Sequence, residues 1–194
     1  MTNVQTCATY RENLRYALEK TIIQTSQGGF TNMEAVIECF RIARKEGNVV
    51  FFIGNGGSAG IAIHMTADFL KNAQMRTVSM HNPATLTCLG NDFGMEFIFS
   101  KQLELLARPG DLMVAISSSG NSPNILRGIE MAKRNGAWVI TLTGFRENNK
   151  ARQLGDYNIY VPSMEYGIVE SVHNIILQQT VDILMEENKE EQGA

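Results

Sequence analysis

The sequence predicts an α/β fold in which helices cover both faces of a parallel sheet, and three observations carry that reading. Short, largely apolar runs recur at 49–53, 112–117 and 137–143, the mark of strands buried on both faces. Helical stretches separate them, and alternating buried strands and helices imply a three-layer αβα arrangement. Two of the runs end in glycine- or serine-rich corners that lead directly into helices.

Taken in chain order, the first fifty residues read as helix. Tyr10, Leu14, Leu18 and Ile22 recur every four positions with Ala17 on the same stripe, as an amphipathic helix requires. Gln27-Gly28-Gly29 breaks it. Thr31-x-x-Glu34 then forms a capping box before a second helix with Val36, Cys39, Phe40 and Ala43 on its apolar face. Helix pairs of this kind often pack against another subunit, and that is the expectation here. The strand at 49–53 follows, with further strands at 76–80, 112–117, 137–143 and 157–161, five in all. Helices are expected at 58–71, 96–106, 123–135 and 148–154, and the breaker-free segment 167–190 is a long C-terminal helix.

The 194 residues are 44% hydrophobic and 19% charged, which suits one core, so a single domain over 1–194 is expected. It comprises a helical extension at 1–47 and an α/β core at 48–190. A net charge of −3 argues against a basic nucleic-acid surface. No apolar run approaches the roughly 20 residues that span a bilayer. Met1 to Arg11 lacks the basic start and apolar stretch of a signal peptide. Cys7, Cys39 and Cys88 form no CxxC pair, so neither a disulfide framework nor a thiolate zinc knot is expected. These features predict a cytoplasmic protein with no nucleic-acid and no membrane partner.

The two corners carry the chemistry. Gly54-Asn55-Gly56-Gly57-Ser58 follows the first strand, and Ser117-Ser118-Ser119-Gly120-Asn121-Ser122 follows the run at 112–117. In an open parallel sheet, ligands bind beyond the carboxyl ends of the strands. Glycine lets backbone approach an anion closely, and a helix start offers free N–H groups with a favourable dipole. Pro123 suits the first helical position with Ser122 as its N-cap. A phosphate fits such corners without lysine or arginine. A dinucleotide site would need a carboxylate about 20 residues after the glycines, and 74–83 contains none; a P-loop would need Gly-Lys-Ser/Thr. A phosphorylated small molecule is preferred.

His64 and Asp68 lie one turn apart on the helix that leaves the first corner, and Glu170, His173 and Gln178 lie on the last helix. Imidazole and carboxylate at i, i+4 can bind a divalent metal, act as an acid–base pair, or form an ordinary hydrogen bond. Asn91-Asp92 either lines the pocket or caps the helix near Glu96. His81 is the third histidine.

Together, Gly54-Asn55-Gly56-Gly57-Ser58, Asn91-Asp92, Ser117–Ser122 and Thr141-Leu142-Thr143-Gly144 resemble the sugar isomerase (SIS) domain, and most closely its phosphoheptose isomerase branch. That branch converts sedoheptulose 7-phosphate to an aldoheptose 7-phosphate. The resemblance runs over nearly the whole chain. It implies a flavodoxin-like five-stranded sheet, a homotetramer with sites at subunit boundaries, and no organic cofactor. It further implies that Ser117, Ser118, Ser119 and Ser122 hold the phosphate with Ser58, and that Asn55 and Asp92 contact sugar hydroxyls. With Gly56, Gly57, Asn91 and Asn121 these form the expected substrate site. Members move a proton through an enediol with a glutamate and a histidine, which with a neighbouring histidine and glutamine can also hold Zn2+.

This chain departs from that pattern where protons move. Asp68 stands at the catalytic glutamate's position, Gln178 at the catalytic histidine's, and Glu170 at the glutamine's; His64 is retained. The catalytic candidates are therefore Glu170, His64, Asp68 and His173, with Glu170 as base. The metal candidates are His64, Asp68, Glu170 and Gln178. The alternative reading is a SIS module that binds a phosphosugar or a protein partner without isomerising it.

Overall fold

The computed structural model describes residues 6–193; the part of the N-terminal extension before Thr6 lies outside them. The chain runs α1 (Cys7–Glu19), β1 (Ile22–Thr25), α2 (Met33–Lys45), β2 (Val49–Gly54), α3 (Gly57–Lys71) and β3 (Arg76–Ser79). It continues through α4 (Pro83–Phe93), α5 (Ser100–Leu106), β4 (Leu112–Ser117), α6 (Pro123–Arg134), β5 (Trp138–Thr143), β6 (Tyr157–Tyr160) and α7 (Tyr166–Gly193).

The sheet has six strands, not five, in the order β1-β6-β5-β4-β2-β3. Five are parallel, and β1 pairs antiparallel with β6, Ile22 opposite Tyr160. The extra strand is cut from what reads as the end of the first helix. That helix stops at Glu19, and the β-branched run Thr21-Ile22-Ile23 takes the extended form such side chains favour, burying Ile23. Thr31 is consequently occupied: its N–H donates to Ile23 O at 3.0 Å. Asn32 caps α2 instead, its side chain accepting from Ala35 N at 3.2 Å.

Strands β2 and β4 are buried along nearly their whole length because successive side chains enter different cores. Val50, Phe52, Leu112, Val114 and Ile116 meet Phe40, Phe69, Val172 and Leu184 from α2, α3 and α7. Phe51, Ile53, Met113 and Ala115 meet Phe99, Leu103, Ile125 and Ile129 on the opposite face.

α4 is a helix that apolar periodicity does not announce. None of its residues is fully buried, and only Leu86 and Leu89 pack against the second core, so its apolar stripe is short; Asn82, accepting from Thr85 N at 3.1 Å, and Pro83 start it. Asn91 and Asp92 therefore lie in its last turns and cap nothing. The helix expected at 96–106 divides into a 3₁₀ turn, Met95–Phe97, and α5, and that expected at 148–154 is only a 3₁₀ turn, Ala151–Gln153.

After β3 the chain returns past β2 to form β4 on its other side. β2 and β4 thus flank the sheet's topological switch point, where a crevice opens beyond the strand ends. Gly54 is opposite Ile116, so both corners emerge into it. Among the described residues no helix is long and apolar enough to cross a membrane.

Candidate active site

A cavity of about 410 Å³ lies in that crevice. Asn55, Gly56, Gly57 and Ser58 line it from the first corner; Ser117, Ser118, Ser119 and Ser122 line it from the second. α7 adds Tyr166 and Glu170.

The first corner is shaped by glycine. Gly56 has φ +54°, which disfavours an L side chain. A Cβ at Gly54 would lie 2.5 Å from the Ser58 carbonyl oxygen. A Cβ at Gly57 would run into the Glu170 carboxylate, so that side chain rests directly over the backbone at the start of α3. Neither α3 nor α6 is closed by a side-chain cap, which leaves both positive helix starts facing the cavity.

The second corner is held by its own bonds. Gly120 N donates to Ser117 Oγ at 3.2 Å, Gly144 N to Ser118 O at 3.0 Å and Ala151 N to Gly120 O at 2.9 Å. Ser118 Oγ is buried and has no hydrogen-bond partner among the described residues. A buried hydroxyl without a partner is costly, and a bound phosphate oxygen would satisfy it. Asn121 braces the loop rather than lining the cavity: its amide donates to Ser119 O at 2.9 Å and accepts from Lys150 N at 3.2 Å.

Two features without a sequence signal brace the first corner. Asn55 and Asn124 exchange reciprocal amide hydrogen bonds of 2.9 Å, clasping the first corner to α6. His81 lies 2.9 Å from Gly54 O through Nε2 and 2.8 Å from Ser79 Oγ through Nδ1. A carbonyl only accepts, so Nε2 carries the proton and Ser79 donates to Nδ1. Burial lowers the His81 pKa, which keeps it neutral in this brace.

Glu170 makes no hydrogen bond or ion pair among the described residues, and partial burial raises its pKa above the ordinary carboxylate value. His64 and Asp68 pair at 3.4 Å, with the imidazole more than half exposed. They are outside the cavity lining; His64, seven residues past Gly57, is about 10 Å further along α3. His173 is elsewhere again. It is wholly buried, its Nε2 donates to Thr143 O at 3.1 Å, and burial lowers its pKa to about 4. Asn91 and Asp92 are exposed on α4, away from the cavity lining.

The donors expected for zinc do not fit one. Among the described residues no three His, Cys, Asp or Glu side chains are grouped to hold a metal. The set offers a single imidazole where zinc sites favour nitrogen and sulfur, and Gln178 donates its amide to Asp182 at 3.3 Å.

Two glycine- and serine-lined corners with open helix starts, facing one cavity at a switch point, form the arrangement in which an α/β domain binds an anionic ligand. Residues 9–144 match the SIS domain, and the chain belongs to that family. Within it, the chain falls in the phosphoheptose isomerase branch. It is 42% identical over 135 residues to a phosphoheptose isomerase of Rhodospirillum rubrum, covering 66% of this chain and 71% of that protein. It is 38% identical over 151 residues to one from Aquifex aeolicus, covering 75% and 78%. The structure of a phosphoheptose isomerase from Neisseria gonorrhoeae superposes with a TM-score of 0.79 at 27% identity, over 91% of this chain and 93% of that one.

Proposed function

We propose that the protein is a phosphosugar aldose–ketose isomerase acting on sedoheptulose 7-phosphate. The single observation that carries the reading is the position of Glu170: an unpaired carboxylate with a raised pKa, over Gly57, in the same cavity as the serine nest. Ser118, Ser119, Ser122 and Ser58 take the phosphate with the starts of α3 and α6. That anchor brings C1 and C2 of the ketose to the carboxylate.

The reaction needs no external oxidant. Glu170 takes a proton from C1; its C–H electrons form the C1=C2 bond while the C2 carbonyl oxygen gains a proton, giving the enediol. The O1 proton then leaves, C1=O forms, and protonated Glu170 returns a proton to C2. A carboxylate pKa moved toward neutrality serves both halves, since the group must accept and then release a proton. His64 and Asp68 pair with each other outside the cavity lining, so the oxygen protons are exchanged with solvent. His173 holds Thr143 in the core, and Gln178 does not titrate. Because the expected zinc donors do not converge, the steps use protein groups and solvent.

A homotetramer belongs to the same proposal and is supported by α4, which buries none of its residues and ends in exposed Phe93 beside exposed Met95. So does a cytoplasmic location, supported by the free cysteines Cys7, Cys39 and Cys88. One observation favours the rival reading of a binding module without turnover: the amide of Gln178 in place of an imidazole. Glu170→Gln separates them. It is expected to lower kcat by about 10²–10⁴-fold, the contribution of a positioned general base, while the dissociation constant for sedoheptulose 7-phosphate changes little. Wild-type protein that binds the sugar and never turns it over would establish the binding module.

A further inference from the structure

The cavity has an aromatic wall that the phosphate nest does not explain. Tyr166 lines it while remaining 62% exposed, and it precedes Glu170 by one helical turn, so both side chains share one face of α7. A tyrosine left this open at the mouth of a polar pocket presents a ring face to whatever enters.

The ring is held in place from behind. Phe145 meets it edge-to-face, with centroids 4.7 Å apart and planes at 82°, the geometry aromatic pairs prefer. Phe145 has φ +56°, a left-handed conformation that a bulky residue keeps only when its surroundings hold it there. Here they do: its N–H donates to Ser163 O at 2.9 Å, and its carbonyl accepts from Tyr160 OH at 2.8 Å. The preceding residue, Gly144, is tied to Ser118 O in the nest. The strained residue thus links the phosphate corner to the aromatic wall.

We infer that Tyr166 is a specificity-determining residue: its ring packs on the C–H face of the sugar's carbon chain between the phosphate and the reacting carbons, and Phe145 is the residue that positions it. This rests on the phosphosugar reading above. A polyhydroxylated chain has polar edges for Asn55 and the serines, and its C–H groups need an apolar surface, which Tyr166 alone of the two α7 side chains supplies. Inorganic phosphate has no C–H groups to pack on the ring.

The test measures two ligands on the same full-length proteins by calorimetry: sedoheptulose 7-phosphate and inorganic phosphate. Tyr166→Ala is expected to weaken the sugar phosphate by about two- to tenfold, the range of aromatic contacts beyond simple burial, and to leave phosphate unchanged. Tyr166→Phe retains the ring and should bind both as wild type does. Phe145→Asn, which keeps a residue tolerant of the left-handed region but removes the ring, should weaken only the sugar phosphate. Equal affinities in wild type and Tyr166→Ala would overturn the inference alone, and so would a loss that fell equally on both ligands. Wild-type protein that bound neither ligand would overturn the phosphosugar reading and this inference with it.

Discussion

In the proposed mechanism Glu170 is the base, one of three positions, with Asp68 and Gln178, where this chain departs from the pattern its resemblance implies. A carboxylate in the position of an amide, resting on Gly57 and partly buried without a cation, is pushed toward protonation. The base must be deprotonated to act, so kcat/KM should rise with pH through the raised Glu170 pKa. The midpoint of that acid limb should lie above the ordinary carboxylate value of 4.5; a limb centred at or below it would show that another group is the base. Gly57→Ala tests the same contact from beneath. A Cβ there displaces the Glu170 carboxylate, so steady-state kinetics should show a fall in kcat of at least tenfold while phosphate affinity is preserved. The nest was legible because glycine and serine after a buried strand are a local pattern. Asn124, His81 and Tyr166 were not, because each acts through a partner distant in sequence and none forms a motif.

At the scale of elements, legibility followed burial. Strands β2, β4 and β5 place their side chains in two cores and read as continuous apolar runs; α7 is long and uninterrupted. The elements that escaped lack that signature. β1 is four residues at a sheet edge, too short to outweigh a helical stripe that continued through Ile22, and α4 buries none of its residues fully. The corners themselves depend on close backbone approach. A Cβ at Gly54 would meet backbone, the Ser58 carbonyl, and backbone cannot rotate away. Gly54→Ala should therefore lower thermal stability as well as phosphate affinity, unlike Gly57→Ala, whose Cβ meets a movable side chain. Matching melting temperatures for Gly54→Ala and wild type would refute that account of the corner.

For the molecule as a whole, folding holds the fully buried His173 in its neutral form. His173 is sealed between α7 and the end of β5, and its pKa falls to about 4 from 6.5. The unfolded chain binds the proton that the folded chain refuses, so this contribution to stability is complete above about pH 6.5 and is lost as pH falls toward 4. The penalty at pH 4.5 is on the order of 2–3 kcal/mol, from 1.36 kcal/mol per pKa unit. His173→Gln, which keeps an N–H donor without a titrating ring, should lose about 5–10 °C less in melting temperature than wild type between pH 7 and 4.5; an identical acid slope would dismiss the histidine's role. The central claim, that this SIS domain moves protons on a ketose phosphate with Glu170, is tested most directly by NMR of sedoheptulose 7-phosphate incubated with the protein in deuterium oxide. Deuterium should enter at C1 with wild type and be absent with Glu170→Gln. A bound sugar that acquires no label from the wild-type protein would contradict the claim and leave a phosphosugar-binding module in its place.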